Sequence, residues 1–209
     1  MRVTAATKAI TRGRILETAR KLFGDRGFAN TTTRDVASAA EIAVGTLFNY
    51  FPTKDALGMA LIEEALTTGQ AEFQDRLKGD EPLAEALFAH IAIGLRRLRP
   101  QRGYVGEILD VAMSPFKQSS ASTAADAVRE CHLDVVRRLI KEHSPAATPE
   151  PTLVVIHLYW TLYLGVVAFW SRDDSPNQED TLALLDQALQ IFVATMNSGH
   201  PNVEVNHVT

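Results

Sequence analysis

Residues 31–57 read TTTRDVASAAEIAVGTLFNYFPTKDAL. Thr32 followed by Asp35 has the spacing of a capping box, with Asp in place of the usual Glu, and opens a short helix whose inner face carries Val36 and Ala40. A second short helix is predicted from about Ala43 to Tyr50; Pro52 stops it and Thr53 caps a longer successor. Small Ala37 and Ala40 stand where the two short helices must approach closely across a tight turn, which is the pattern of a helix-turn-helix. At about 100° per residue, Leu47 and Phe51 share an inward face, Gly45 and Asn49 project the opposite way, and Thr46, Phe48 and Tyr50 occupy the flanks. An ordinary solvated helix carries Lys or Glu on its outer side. This one is small, polar and aromatic there, which suits insertion into a DNA major groove.

Upstream, Ile15, Ala19, Leu22 and Phe23 fall at i, i+4, i+7 and i+8, giving a first helix one apolar stripe that ends near Gly24 to Gly27. The two short helices can bury their faces only against it. Downstream the breaks fall at 79–82, 100–103, 114–120, 144–151 and 172–178. They predict helices at roughly 54–77, 82–98, 104–113, 121–142, 152–171 and 177–197, and a loose tail over 198–209. Strand-like alternation is nearly absent, so the fold class is all-α.

Composition sets outer bounds. The 209 residues are 46% hydrophobic and 22% charged, which fits one large or two small globular domains. A single cysteine, Cys131, excludes an intramolecular disulfide and thiolate-based metal sites, and a reducing cytoplasm is the expected compartment. No metal or cofactor is expected. Residues 1–10 lack the apolar run of a secretory signal. The net charge of −4 conceals an asymmetry: residues 1–54 hold nine Lys and Arg against four acids, and residues 55–209 hold twelve against twenty-one. A basic head on an acidic body is expected when one end meets phosphate and the other does not.

The string from Phe23-Gly24-Asp25-Arg26-Gly27-Phe28 through Thr31 to Ala37 and on to Gly45-Thr46-Leu47-Phe48-Asn49-Tyr50-Phe51-Pro52-Thr53-Lys54-Asp55-Ala56-Leu57 resembles the tetracycline-repressor (TetR) family. The resemblance implies a three-helix helix-turn-helix DNA-binding domain over 1–54 and a helical effector-binding and dimerisation domain over 55–209. It implies a ligand-responsive regulator, by family habit a repressor, that binds a palindromic operator as a homodimer and is released by a small molecule. Carried over by position, Arg34, Thr46, Phe48, Asn49 and Tyr50 face DNA, with Lys54 on the backbone. The residues themselves suggest compatible roles. Asn49 can bond adenine, Val44 can touch a thymine methyl, and Gly45 lets the helix backbone come close. Thr33 and Lys54 are placed to meet phosphates near helix N-termini. The bland reading of Arg34 is a solvated or Asp-paired side chain, and that of Tyr50 is scaffold. Two departures matter: Glu41 stands where the family usually has Gly in the turn, and Ala43-Val44 replace a capping Ser and its following Lys.

Leu153 to Trp170 is eighteen residues long and almost wholly apolar, at the short edge for crossing about 30 Å of hydrocarbon. With no second span, a buried helix shared with a second subunit is the preferred reading, and no membrane partner is expected. Leu182, Leu185, Leu189 and Phe192 give its successor an apolar stripe, so helices at about 152–171 and 177–197 are the expected homodimer interface. Phe88, Tyr104, Met113, Phe116, Trp160 and Tyr163 are candidates to line a pocket for a largely apolar effector, although core packing alone would account for each. His90, His132 and His157 are candidate polar contacts on three different helices. Arg96, Arg97 and Arg99 either attract an anionic effector or form a basic helix end facing water.

An enzyme is the first rival class. The sequence lacks His-Glu-x-x-His, Gly-x-Gly-x-x-Gly, a phosphate-binding Gly-Lys-Ser/Thr loop and Gly-x-Ser-x-Gly. Cys131 and His132 are neighbours on a helix, so their side chains diverge and do not pair as nucleophile and base. A second rival is a DNA-binding adaptor controlled by protein partners without a small-molecule ligand.

Overall fold

The computed structural model describes residues 4–112, 122–144 and 150–197, and among them there is no strand. The head consists of α1 (Ala5–Arg26), α2 (Thr33–Ala39) and α3 (Val44–Phe48). The body contains α4 (Lys54–Arg76), α5 (Leu83–Leu98), α6 (Arg102–Ala112), α7 (Ser122–Glu142), α8 (Leu153–Trp170) and α9 (Glu179–Asn197). Short 3-10 turns precede α6 and α9. The predicted break at 114–120, most of the one at 144–151, and the tail lie outside the described residues, as do Met113 and Phe116.

Local chemistry accounts for the head. Thr4 accepts a hydrogen bond from the Thr7 N–H and starts α1, which buries Ile15, Leu16, Ala19, Leu22 and Phe23. Gly27 ends it at φ 82°, a conformation glycine adopts without steric cost, with its N–H bonded to Phe23 O at 3.1 Å. The fully buried Thr31 hydroxyl donates to Gly27 O at 2.9 Å and fastens the turn. The capping box is present: Thr32 Oγ1 accepts from the Asp35 N–H at 3.2 Å, and Asp35 Oδ2 accepts from the Thr32 N–H at 2.8 Å. Hydrogen bonds from Thr32 hold the Asp35 carboxyl below its ordinary pKa. Glu41 has φ 54°, the left-handed turn conformation expected at that position. No side chain caps α3, and it is shorter than the predicted 43–50. Asn49 and Tyr50 follow it in a turn, held by backbone bonds to Gly45, Thr46 and Leu47 ahead of Pro52.

Head and body share α4, which packs on α1, α5, α6 and α7. Its start is capped by Thr53, which accepts from the Ala56 N–H at 3.0 Å. A Cβ added to Gly58 would lie 2.2 Å from Ile108 Cδ1, so α4 and α6 meet at a glycine. Tyr104 of α6 is buried against the head, its ring beside those of Phe23 and Phe28. At its N-terminal end α6 is tied to the α8–α9 turn, where Arg102 donates to the carbonyls of Trp170 and Asp173. Asp173 in turn accepts from the backbone N–H groups of Ser175 and Thr181, both at 2.9 Å, and side-chain hydrogen bonds with Ser175 and Thr181, helped by these backbone ones, hold its carboxyl well below the usual carboxylate range.

One face of α8 is buried in its own body through Ile156, Tyr159, Trp160, Tyr163, Val166, Val167 and Trp170. The other face exposes Val154, His157, Leu158, Thr161, Gly165, Ala168 and Phe169. This is the helix, among the described residues, with the length and apolar composition to cross a membrane, and 44% of it is buried inside the protein. In α9 the stripe read from the sequence turns inward except at Leu182. Leu185, Leu189 and Phe192 are buried within the body, and the outward apolar residues are Leu182, Leu184 and Ile191. Hydrophobic spacing identifies one buried side of a helix without saying which neighbour buries it.

Candidate nucleic-acid interface and effector cavity

The head fixes α3 through Leu47, which is fully buried, and through Phe51 just beyond it. Gly45, Phe48 and Asn49 are exposed as expected, and so are Ala43 and Arg34. Thr33 and Thr46 are half-buried. Val44 and Tyr50 are also half-buried and pack on the core, so each divides its surface between scaffold and solvent. Thr33, Arg34, Val44, Gly45, Thr46, Phe48, Asn49 and Tyr50 all belong to α2, α3 or the turn that follows α3. Arg12 of α1 lies with its guanidinium 5.4 Å from the centre of the Phe51 ring.

Lys54 has internal partners. Its ammonium donates to Phe28 O at 2.9 Å and sits 4.3 Å from the centre of the Phe28 ring. It therefore braces the start of α4 against the turn after α1. An ammonium has three donors, so an exposed phosphate contact is compatible with this bond.

The aromatic candidates separate. Tyr163 lines a cavity of about 90 Å³ bounded by α4, α5, α7 and α8. Trp160 packs next to it, ring centres 5.3 Å apart, but does not line the cavity. Phe88 is half-buried core away from the lining. Tyr104 does not line this cavity either; it belongs to the head–body junction, where a tyrosine ring fills the space between Phe23 and Phe28.

The cavity brings together two histidines 42 positions apart in sequence. The His90 and His132 ring centres are 4.7 Å apart, and His132 is 4.2 Å from the Tyr163 ring. His132 Nε2 hydrogen-bonds the Tyr159 hydroxyl at 3.0 Å. Burial lowers His132 well below its ordinary pKa, with His90 adding to the effect. Burial, reinforced by Arg138, lowers His90 to about 4. Both rings are uncharged at neutral pH. His157 lies apart on the exposed face of α8. Thr67, Gln70 and Cys131 also line the cavity, with Cys131 Sγ 3.1 Å from Gln70 Oε1. Nothing in their spacing marked them as neighbours. A pair of small residues, Gly69 on α4 and Gly94 on α5, does mark where the cavity's walls converge: a Cβ on Gly69 would lie 3.5 Å from Gly94 Cα.

Arg96 and Arg97 both donate to Glu72 of α4, Arg97 Nε at 2.9 Å, and the hydrogen bond from Arg96 leads the causes that lower the Glu72 pKa. They are a clamp between α4 and α5. Among the described residues no cluster of His, Cys, Asp and Glu has the geometry to hold a metal ion.

An uncharged outer face on a short helix, held in a three-helix head and joined to a helical body with an internal cavity, defines a helix-turn-helix regulator. The chain belongs to the TetR family: the family described as bacterial regulatory proteins of the tetR family matches residues 15–61, and a tetracyclin repressor-like C-terminal domain matches residues 87–206. It is 33% identical over 69 residues to the HTH-type transcriptional regulator UidR of Escherichia coli K12, covering 33% of this chain and 35% of that one. It is 26% identical over 106 residues to the HTH-type transcriptional repressor DhaR of Mycobacterium sp. strain GP1, covering 50% and 53%. The match to UidR thus spans about a third of that relative's length. Among solved structures, Thermus thermophilus FadR, a TetR family transcriptional repressor in complex with lauroyl-CoA, has a TM-score of 0.68 at 21% identity, covering 88% of this chain and 94% of that one. A TetR transcriptional regulator from Rhodococcus sp. RHA1 has a TM-score of 0.68 at 18% identity, covering 90% and 99%. The relatives named here are transcriptional regulators.

Proposed function

We propose that the protein is a cytoplasmic repressor that binds a palindromic operator as a homodimer and is released by a small molecule entering the body cavity. The observation that carries this reading is the outer surface of α3 and the turn after it, where Gly45 and Phe48 on the helix and Asn49 just beyond it stand exposed, anchored from behind by Leu47. A helix of that profile reaches base edges without a charged side chain intervening. Arg34, Thr46 and Tyr50 flank the contact, Val44 meets a thymine methyl, and Thr33 and Lys54 meet phosphates. The functional division falls at residue 54, with α4 as the element common to both parts.

Two copies are required because one recognition helix reads only a few base pairs, whereas a twofold pair spaced about 34 Å apart reads a palindrome. Support for the interface comes from α8 and α9. Leu153 and Val154 are 82% and 74% exposed, and Ile191 on α9 is 67% exposed. Gly165 and Ala168 between them allow a partner helix to approach closely. An effector acts by binding better to a conformation whose recognition helices no longer match successive grooves.

The test is to select bound fragments from genomic DNA with purified protein. A twofold-symmetric enriched sequence is expected. Failure to retard any duplex fragment at low salt, where electrostatic attachment is strongest, overturns the reading.

A further inference from the structure

The cavity between α4, α5, α7 and α8 holds two histidines in different states. His132 is satisfied, because its Nε2 hydrogen-bonds the Tyr159 hydroxyl at 3.0 Å. His90 is only 7% exposed, and among the described residues neither of its ring nitrogens has a hydrogen-bond partner. A neutral imidazole offers one donor and one acceptor, and leaving both buried and unpaired carries their full desolvation penalty. Packing prevents the ring from seeking other partners. Its centre lies 5.0 Å from that of Phe73 and 4.7 Å from that of His132.

Charge around the cavity narrows what completes His90. Among the described residues no Lys or Arg lines it, and the charged lining group, Glu63, is exposed. A carboxylate or phosphate lodged beside His90 would be buried while Arg138, the cation whose charge acts on His90, stays exposed to solvent. An ammonium would be buried against an imidazole that burial keeps uncharged, with Glu63 out in solvent. Apart from Thr67, Gln70 and His132, the uncharged lining is apolar or weakly polar, with Ile91, Val128 and Tyr163 among it. The volume, about 90 Å³, is smaller than the roughly 150 Å³ of an apolar cavity known to bind benzene. It takes the hydroxyl-bearing part of such a ring, with the rest in the mouth beside the exposed Glu63, Thr67 and Cys131.

We infer that the effector is an uncharged molecule with a compact apolar head bearing a hydroxyl, and that this hydroxyl hydrogen-bonds His90. The inference rests on the effector-responsive reading above and specifies its ligand. A hydroxyl is the economical match, since it donates to the bare ring nitrogen or accepts from the protonated one. His132 acts as a positioning residue, holding the His90 ring in place from the Tyr159 hydroxyl.

Four probes of similar size separate the possibilities in the full-length protein: phenol, toluene, benzoate and benzylammonium, measured by calorimetric titration and by thermal shift. Phenol is expected to bind at least tenfold more tightly than toluene, with both ions weaker than toluene. In His90→Leu, checked for unchanged helical content, the phenol preference should fall to about onefold while toluene still binds. Equal or tighter binding of either ion overturns the inference, as does binding of none of the four, or a phenol preference that survives His90→Leu. Retardation of duplex DNA by the unliganded protein is measured separately. Its failure refutes the regulator reading and leaves the ligand class standing on the titrations.

Discussion

The ring of Tyr104 on α6 stacks on that of Phe28, with centres 4.8 Å apart and 17° between planes, and meets Phe23 edge-on at 5.5 Å. It is the aromatic bridge between the body and the turn that follows α1. Arg102, two residues earlier, is bonded to the α8–α9 turn, so α6 connects the head to the helices proposed as the dimer interface. Tyr104→Leu keeps an apolar side chain but removes the stack, which is worth about 0.5–1.5 kcal/mol beyond area burial. We expect a thermal transition lowered by a few degrees, and a weakened dependence of DNA affinity on effector. Unchanged effector coupling would show that α6 is not the connecting element.

Glu41 occupies a left-handed turn conformation at φ 54° between α2 and α3. The side chain is exposed, so its strain has no compensating burial. Glu41→Gly should therefore stabilise the head by about 0.5–1 kcal/mol, net of glycine's added chain entropy. In a chain of this size that is roughly a 2 °C rise in the unfolding midpoint. A lower midpoint would place the strain elsewhere.

The buried histidines set a pH dependence. The ordinary His90 value of 6.5 is lowered to about 4 in the folded protein, so below pH 6.5 the unfolded chain binds protons that the native state resists. Stability is fully present above that value and falls as pH drops from about 6.5 to about 4, by up to about 1.4 kcal/mol per pH unit for one such histidine. Denaturant unfolding at pH 8, 6 and 5 should show this slope, and His90→Leu should reduce it to the part that His132 supplies. Parallel curves for the two proteins would disprove it.

Asn49 and Lys54 should separate base reading from bracing. Asn49 is exposed, so Asn49→Ala should leave the unfolding midpoint unchanged while costing about 1–3 kcal/mol of operator affinity and relaxing one base position. Lys54→Ala removes a charged hydrogen bond to Phe28 O, and should cost about 1–3 kcal/mol of stability while weakening all DNA sequences alike. Paired melting curves and binding titrations on matched and mismatched operators distinguish the two. Sequence-selective loss in the lysine variant would contradict this assignment.

Leu158 is 49% exposed near the middle of the outward face of α8. Leu158→Glu places a charge where the proposed partner helix lies. Sedimentation velocity should show monomers, and operator affinity should fall by more than tenfold because only half the palindrome is held by each molecule. Persistence of the wild-type dimer would move the interface to another surface.

The helix boundaries were legible in the sequence because capping and periodicity act within a few residues. Thr32 with Asp35, Thr53 with Ala56, and Gly27 after α1 each announce an end through bonds the neighbouring backbone must make. The outer face of α3 was legible for the same reason, since 100° per residue sets Gly45 and Asn49 opposite Leu47 once the helix exists.

Tertiary structure alone decided which side chains meet across the body. Local rules carry no term for the approach of His90 to His132, of Tyr104 to Phe28, or of Lys54 to Phe28 O, contacts 42, 76 and 26 positions apart. For the same reason Leu185, Leu189 and Phe192 were recognised as a stripe beside α8, while the packing of α9 on α5 was not. A hydrophobic stripe specifies that a face leaves water, and the packing of whole helices chooses its neighbour.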